Sequence, residues 1–218
     1  MVSTRHALLS LSDKEGLLDF ARGLHELGFE FFASEGTAKA LRTANLPVKT
    51  VSEYTGQPEG LGGRVKTLHP RIFAGILAPR GDEPELSAWG AVPLDLVVAN
   101  LYPFESVVAK PDVTLADAIE NIDIGGVSLI RAAAKNANRV GVVVRPARYP
   151  DVLEAYRKEG HLSPKLREEL ALEAFAYTSR YDVAIYNFLW RRQGHALPPS
   201  LRLAFDTAAD LRYGENPH

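Results

Sequence analysis

Arg64, Lys66 and Thr67 stand within one short run, Gly62-Gly63-Arg64-Val65-Lys66-Thr67-Leu68-His69-Pro70. A guanidinium fork, a mobile ammonium and a hydroxyl in one turn make an edge suited to an anion such as a phosphate. The glycine pair permits turns that other residues resist, and the proline restricts the exit. A basic turn is also a common solvated loop. Its chemistry depends on what the fold brings beside it.

Other polar turns have the same character. Ser12-Asp13-Lys14 follows an apolar run at 6–12, and Ser34-Glu35-Gly36-Thr37 follows another at 29–33. If both runs are parallel strands, these turns meet at the carboxyl edge of a sheet, where helix N-termini offer free N–H groups to an anion. Ordinary helix capping explains either turn taken alone. Asn100 and Tyr102 close the run 94–100, the most strongly apolar in the chain, and the same rule turns them toward such a site. Asp123 precedes the pair Gly125-Gly126 at the start of a helix expected over 127–137, a place suited to a carboxylate or an anion. Lys135 falls near the end of that helix, where a lysine ordinarily faces water. Neither G-x-G-x-x-G nor G-x-x-x-x-G-K-[ST] occurs, so no dinucleotide fingerprint or P-loop is indicated.

The elements that must carry these residues alternate strand and helix. A helix follows Ser12-Asp13-Lys14-Glu15, which has capping-box spacing, and a second spans 38–44. The segment 48–61 reads as irregular, 71–78 as mostly apolar and 79–84 as a charged loop. Another strand is expected at 140–144, a surface helix at 148–158 and one long amphipathic helix at 164–191. A proline-containing linker follows from 196, then the start of a strand at 201–205. With 218 residues, 46% hydrophobic and 24% charged, the chain has room for one full core. Its net charge of −2 supplies no basic field for nucleic acid or an acidic membrane. The absence of cysteine excludes disulfides and thiolate metal sites. No apolar run approaches a membrane span and no signal-peptide core opens the chain, so a cytoplasmic location is expected.

Six blocks recur in order in one family: Ser12-Asp13-Lys14, Gly36-Thr37-Ala38-Lys39-Ala40-Leu41, the run 63–70, Asn100-Leu101-Tyr102-Pro103-Phe104, Asp123-Ile124-Gly125-Gly126 and Arg131-Ala132-Ala133-Ala134-Lys135-Asn136. From about residue 6 onward the chain resembles the N-terminal, IMP cyclohydrolase part of the bifunctional purine biosynthesis protein. Residues 211–218 look like the opening of that family's transformylase part. The resemblance implies a cyclohydrolase domain at 1–195, then a linker and the beginning of a transformylase-like segment at 196–218. It implies an α/β, methylglyoxal-synthase-like three-layer fold with a mainly parallel sheet, in a homodimer, with no metal or organic cofactor. The implied partners are ribonucleotides, formyl-AICAR and IMP, with neither nucleic acid nor membrane.

By matching position, Lys135 resembles the family's proton-transfer residue, with Asp123 its partner across the glycine turn. Lys66 would polarise the formyl oxygen, and Tyr102 and Asn100 would position the base and carboxamide. The phosphate would lie on Ser12, Asp13 and Lys14 and on Ser34, Glu35, Gly36 and Thr37, helped by Arg64 and Thr67. Val65, Ala99, Ile124 and Gly125 complete the implied contacts. Glu35 stands where the family usually has glycine, adding a charge beside the expected phosphate. Two alternatives share the fold: a methylglyoxal synthase, whose pattern lacks the blocks around Lys66, Tyr102 and Lys135, and a non-catalytic phosphate-sensing module.

Overall fold

Strand β1 (Arg5–Ser10) pairs in parallel with β2 (Phe29–Ala33) on one side and β4 (Leu96–Ala99) on the other. The short β3 (Lys49–Thr50) extends the first side and β5 (Gly141–Val143) the second, giving the order β3-β2-β1-β4-β5. The computed structural model describes residues 4–194 and 198–205. Ala7, Leu8 and Leu9 of β1 and all of β4 are buried, as expected of parallel strands covered on both faces.

The helices divide between those faces. Helices α1 (Leu17–Glu26) and α2 (Glu35–Thr43) link β1 to β2 and β2 to β3, whereas α8 (Gly125–Lys135) links β4 to β5 in the opposite direction across the sheet. Right-handed crossovers therefore put α8 on the other face. Helix α9 (Tyr149–Glu159) packs on α1, stacking Tyr149 on Phe20 at 4.0 Å between centroids. Helix α10 (Pro164–Arg192) packs on α8 and β5. Between β3 and α8 lie α3 (Val51–Thr55), α4 (Pro70–Leu77), α5 (Glu83–Ala88), α6 (Phe104–Val108) and α7 (Leu115–Glu120). Arg139 ties α4 to the sheet by donating to the carbonyls of Gly75, Ile76, Ala78 and Leu94.

Several expectations are corrected. The Ser12 capping box does not form, because Asn100 Oδ1 takes the N–H groups of Ser12 and Asp13 and α1 starts after Gly16. Helix α2 starts three residues before 38, since the Ser34 carbonyl accepts from Thr37 and Ala38. The segment 48–61 is irregular only at 48 and from 56 to 60: before that, β3 and α3 meet at a capping box between Thr50 and Glu53. The apolar run after Pro70 is helical, started by proline and by His69 Nδ1 accepting the Arg71 N–H, and the charged loop ends early in α5. Residues 201–205 form no strand. Arg202 covers the Tyr186 ring of α10 at 4.2 Å, Leu201, Leu203 and Phe205 are exposed, and no sheet strand pairs with the segment. The motif at 211–218 lies outside the described residues. No helix among the described residues is long and apolar enough to cross a membrane.

Candidate active site

The sheet order reverses between β1 and β4, and the chain segments leaving their carboxyl ends diverge there, opening a crevice of the kind that holds ligands in such sheets. A cleft of about 430 Å³ occupies this point. Ser10, Leu11 and Ser12 reach it from β1, Ser34 from β2, and Asn100 and Tyr102 from β4. The loop before α4 contributes Arg64, Lys66 and Thr67, and the turn into α8 contributes Asp123, Ile124, Gly125 and Gly126.

Asn100 joins two of these walls. Its Oδ1 accepts the Ser12 N–H at 2.7 Å and its Nδ2 donates to the Asp13 carbonyl at 2.8 Å. The amide is thereby oriented by donors and acceptors on both sides.

Asp123 is held by a main-chain donor of the glycine turn. Its Oδ1 accepts the Gly126 N–H at 2.7 Å, and the Tyr102 N–H lies near enough to favour its charged form. Burial pushes this carboxyl above the ordinary value, against the pull of those two N–H groups and the nearby Lys66 ammonium. A carboxyl so placed can hold or release a proton closer to neutral pH. Space explains the glycine that follows: a Cβ at Gly126 would sit 2.6 Å from Asp123 Oδ2.

Arg64 does not extend freely into the cleft. Its Nη2 contacts both carboxylate oxygens of Glu120, at 2.8 and 2.7 Å, and its Nη1 donates to the Leu61 carbonyl. Glu120, with Ile119 and Ile122, lines the cleft without having been anticipated, because an acidic residue ending a short helix looks solvated in sequence. Tyr177 and Tyr181 fall on the long amphipathic helix α10, where pattern alone marks them only as packing residues. Tyr177 Oη accepts the Leu101 N–H at 3.1 Å and Tyr181 Oη the Asp123 N–H at 2.9 Å.

Of the expected residues, the cleft brings together Ser12, Ser34, Arg64, Lys66, Thr67, Asn100, Tyr102, Asp123, Ile124 and Gly125. Eight others lie outside its lining. Asp13 belongs to a neighbouring depression beyond Tyr102, and Lys14 Nζ donates to the Ser12 carbonyl. Glu35 and Gly36 border a separate hollow with Lys39 and Arg42, and Glu35 accepts from the Ser52 hydroxyl at 3.3 Å. Val65 is exposed and Ala99 is buried within β4. Lys135 is exposed at the far end of α8, ten residues beyond Gly125 and therefore roughly 15 Å along the axis.

Thr37 is fully buried. Its hydroxyl accepts the Leu11 N–H at 3.0 Å and a hydrogen bond from Ser34 Oγ at 3.2 Å. Thr37→Val should lower stability by about 1–3 kcal/mol through the stranded Leu11 N–H, read as a lower urea midpoint at unchanged slope. A second cavity, about 360 Å³ between α4 and α5, is walled by Phe73, Leu77, Leu86 and Trp89. It lacks the convergent polar groups of the cleft.

Residues 16–128 match the MGS-like domain, and residues 133–218 match the AICARFT/IMPCHase bienzyme. The bifunctional purine biosynthesis protein PurH of Thermosynechococcus vestitus is 53% identical over 223 aligned residues, covering 98% of this chain and 43% of its own length. PurH of Desulfitobacterium hafniense is 51% identical with the same coverage. The chain thus spans less than half the length of these curated relatives. The crystal structure of ForH superposes with a TM-score of 0.75 at 34% identity, covering 86% of this chain and 100% of that one.

Proposed function

We propose a function for this chain as a member of the bifunctional purine biosynthesis protein family, with an MGS-like domain at 16–128: it acts in purine biosynthesis as an IMP cyclohydrolase. The substrate is the 5-formamido-imidazole-4-carboxamide ribonucleotide. The carboxamide nitrogen attacks the formyl carbon, and water leaves to give IMP. The observation that carries this reading is the convergence of Lys66, Tyr102 and Asp123 on one cleft at the sheet's switch point.

Ring closure forms one C–N bond and expels the formyl oxygen. One proton leaves the carboxamide nitrogen and another the formamido nitrogen, and both depart in the water. Asp123 takes the carboxamide proton, a role suited to a carboxyl held above its ordinary value. Lys66 stabilises charge developing on the formyl oxygen. Asn100 and Tyr102 hold base and carboxamide in attack geometry. Ser12, Ser34, Thr67 and Arg64 receive the phosphate, Arg64 by exchanging Glu120 for the ligand.

Lys135 enters this scheme from a second copy. The outer stripe of α8, Ser128, Arg131 and Lys135, follows exposed Ile124 and meets α10 where Arg131 covers the Phe175 ring at 5.6 Å. Antiparallel pairing of two such stripes in a homodimer would set the basic end of one beside the acidic end of the other, where Asp117 and Glu120 lie. Each Lys135 would then serve its partner's Asp123. Mixing inactive Lys135→Leu and Asp123→Asn chains should restore about a quarter of wild-type activity, because half the dimers carry one intact site. Absence of recovery would sink the shared site.

The domain so defined is 1–195, with 196–218 the linker and the opening of a transformylase-like segment, and it works in the cytoplasm. The direct test is conversion of the formylated ribonucleotide to IMP by the purified chain, followed by ultraviolet absorbance. IMP binding without turnover would favour a phosphate-binding module instead.

A further inference from the structure

Helix α10 grips both loops that build the cleft's acid–base wall. Tyr181 Oη accepts the Asp123 N–H at 2.9 Å and donates to the Asn121 carbonyl at 3.0 Å. One helical turn earlier, Tyr177 Oη accepts the Leu101 N–H at 3.1 Å. Leu101 precedes Tyr102, whose own N–H lies near enough to favour the charged form of Asp123. The two loops therefore meet beside Gly126, where Asp123 Oδ2 and Leu101 Cδ2 both crowd its Cα, and each is fixed behind the carboxylate to one rigid element. Hydroxyls four residues apart lie on one helix face, which sets their spacing.

These hydroxyls bind main-chain groups of the loops. Neither tyrosine lines the cleft, and Tyr181 is 8% exposed with Phe104 edge-on at 6.1 Å between centroids. Packing alone would be served equally by phenylalanine. What phenylalanine lacks is a partner for two main-chain N–H groups and one carbonyl, which buried backbone requires.

We propose that Tyr181, with Tyr177, is a positioning pair that sets where the Asp123 carboxyl stands relative to Tyr102 and the reacting nitrogen. The groups facing Asp123 are the Lys66 ammonium from the loop before α4, the N–H groups of Gly126 and Tyr102, and these two hydroxyls from α10. Burial and the Asp123 charge push the Tyr181 hydroxyl up to about 12, so it keeps the proton it donates to Asn121.

The catalytic readout rests on the ring-closure reading, so the test has one arm that does not. In Tyr181→Phe, kcat should fall about 10- to 100-fold with KM within about twofold. The acid limb of the kcat/KM profile should move to lower pH as water replaces the hydroxyl beside Asp123. The Asp123 carboxyl-carbon resonance, titrated by NMR without substrate, should move the same way. A variant with wild-type kcat, profile and titration overturns the proposal. So does one whose only change is a lower melting temperature. If the wild type does not turn over, ring closure is rejected and the NMR titration alone judges the positioning role. Should Tyr181→Phe fail to fold, Tyr177→Phe, measured identically, carries the same outcomes at the Tyr102 loop.

Discussion

Lys66→Ala should lower kcat on the formylated ribonucleotide by about 10²- to 10³-fold, the cost of removing one stabiliser of a developing oxyanion. The residue sits on a loop whose Gly62 and Gly63 take positive φ values of 66° and 81°, conformations that need glycine. The ammonium lies close to Gly63 and still acts on the Asp123 carboxyl, with no close ion pair to lose among the described residues. Stability should therefore change little. Loss of the cation also removes one influence that lowers the Asp123 carboxyl, so residual activity should need a higher pH. Steady-state rates measured across a pH series check both parts. Undiminished kcat would remove Lys66 from the chemistry.

Asp123→Asn should cost about 10²- to 10⁴-fold in kcat and raise the melting temperature at neutral pH. The two effects share one cause. Burial lifts the folded-state value of Asp123 above its ordinary 3.8, so the native state holds that proton more tightly than the unfolded chain does. Its contribution to stability is greatest at low pH and is lost as pH rises from the ordinary value through the raised one. Asparagine carries no such penalty and can still accept the Gly126 N–H through its amide oxygen. The stability difference should vanish in acid, grow across that window and then level off, measured by urea midpoints at several pH values. A variant less stable than wild type at neutral pH would mean that the N–H groups and Lys66 outweigh burial.

Much of the sheet was legible because parallel strands leave long apolar runs, as at Ala7–Leu9 and in β4, and because polar residues gather where those runs stop. The long helix was legible for a similar reason, its apolar positions recurring over 29 residues. Hydroxyls and caps were not. Ser12 and Thr50 both head capping-box patterns, but Asn100 captures the N–H groups of the first turn, whereas nothing competes for the second. Thr37 has the look of a phosphate ligand until β1 arrives and takes its hydroxyl for the Leu11 N–H. Glu120, Tyr177 and Tyr181 owe their place in or behind the cleft to partners 56 to 76 residues distant, which local pattern does not encode.

The grip of α10 on the cleft has a consequence for the order in which the molecule is made. Its hydroxyls close contacts of 76 and 58 residues in sequence separation, to Leu101 and Asp123. During synthesis the strands and both loops leave the ribosome before α10 exists. A nascent chain released short of Tyr181 would hold every residue of the cleft and still lack the fastening behind Asp123. The fastening behind Asp123 should therefore arrive only when α10 docks, on strands and loops that have already been made.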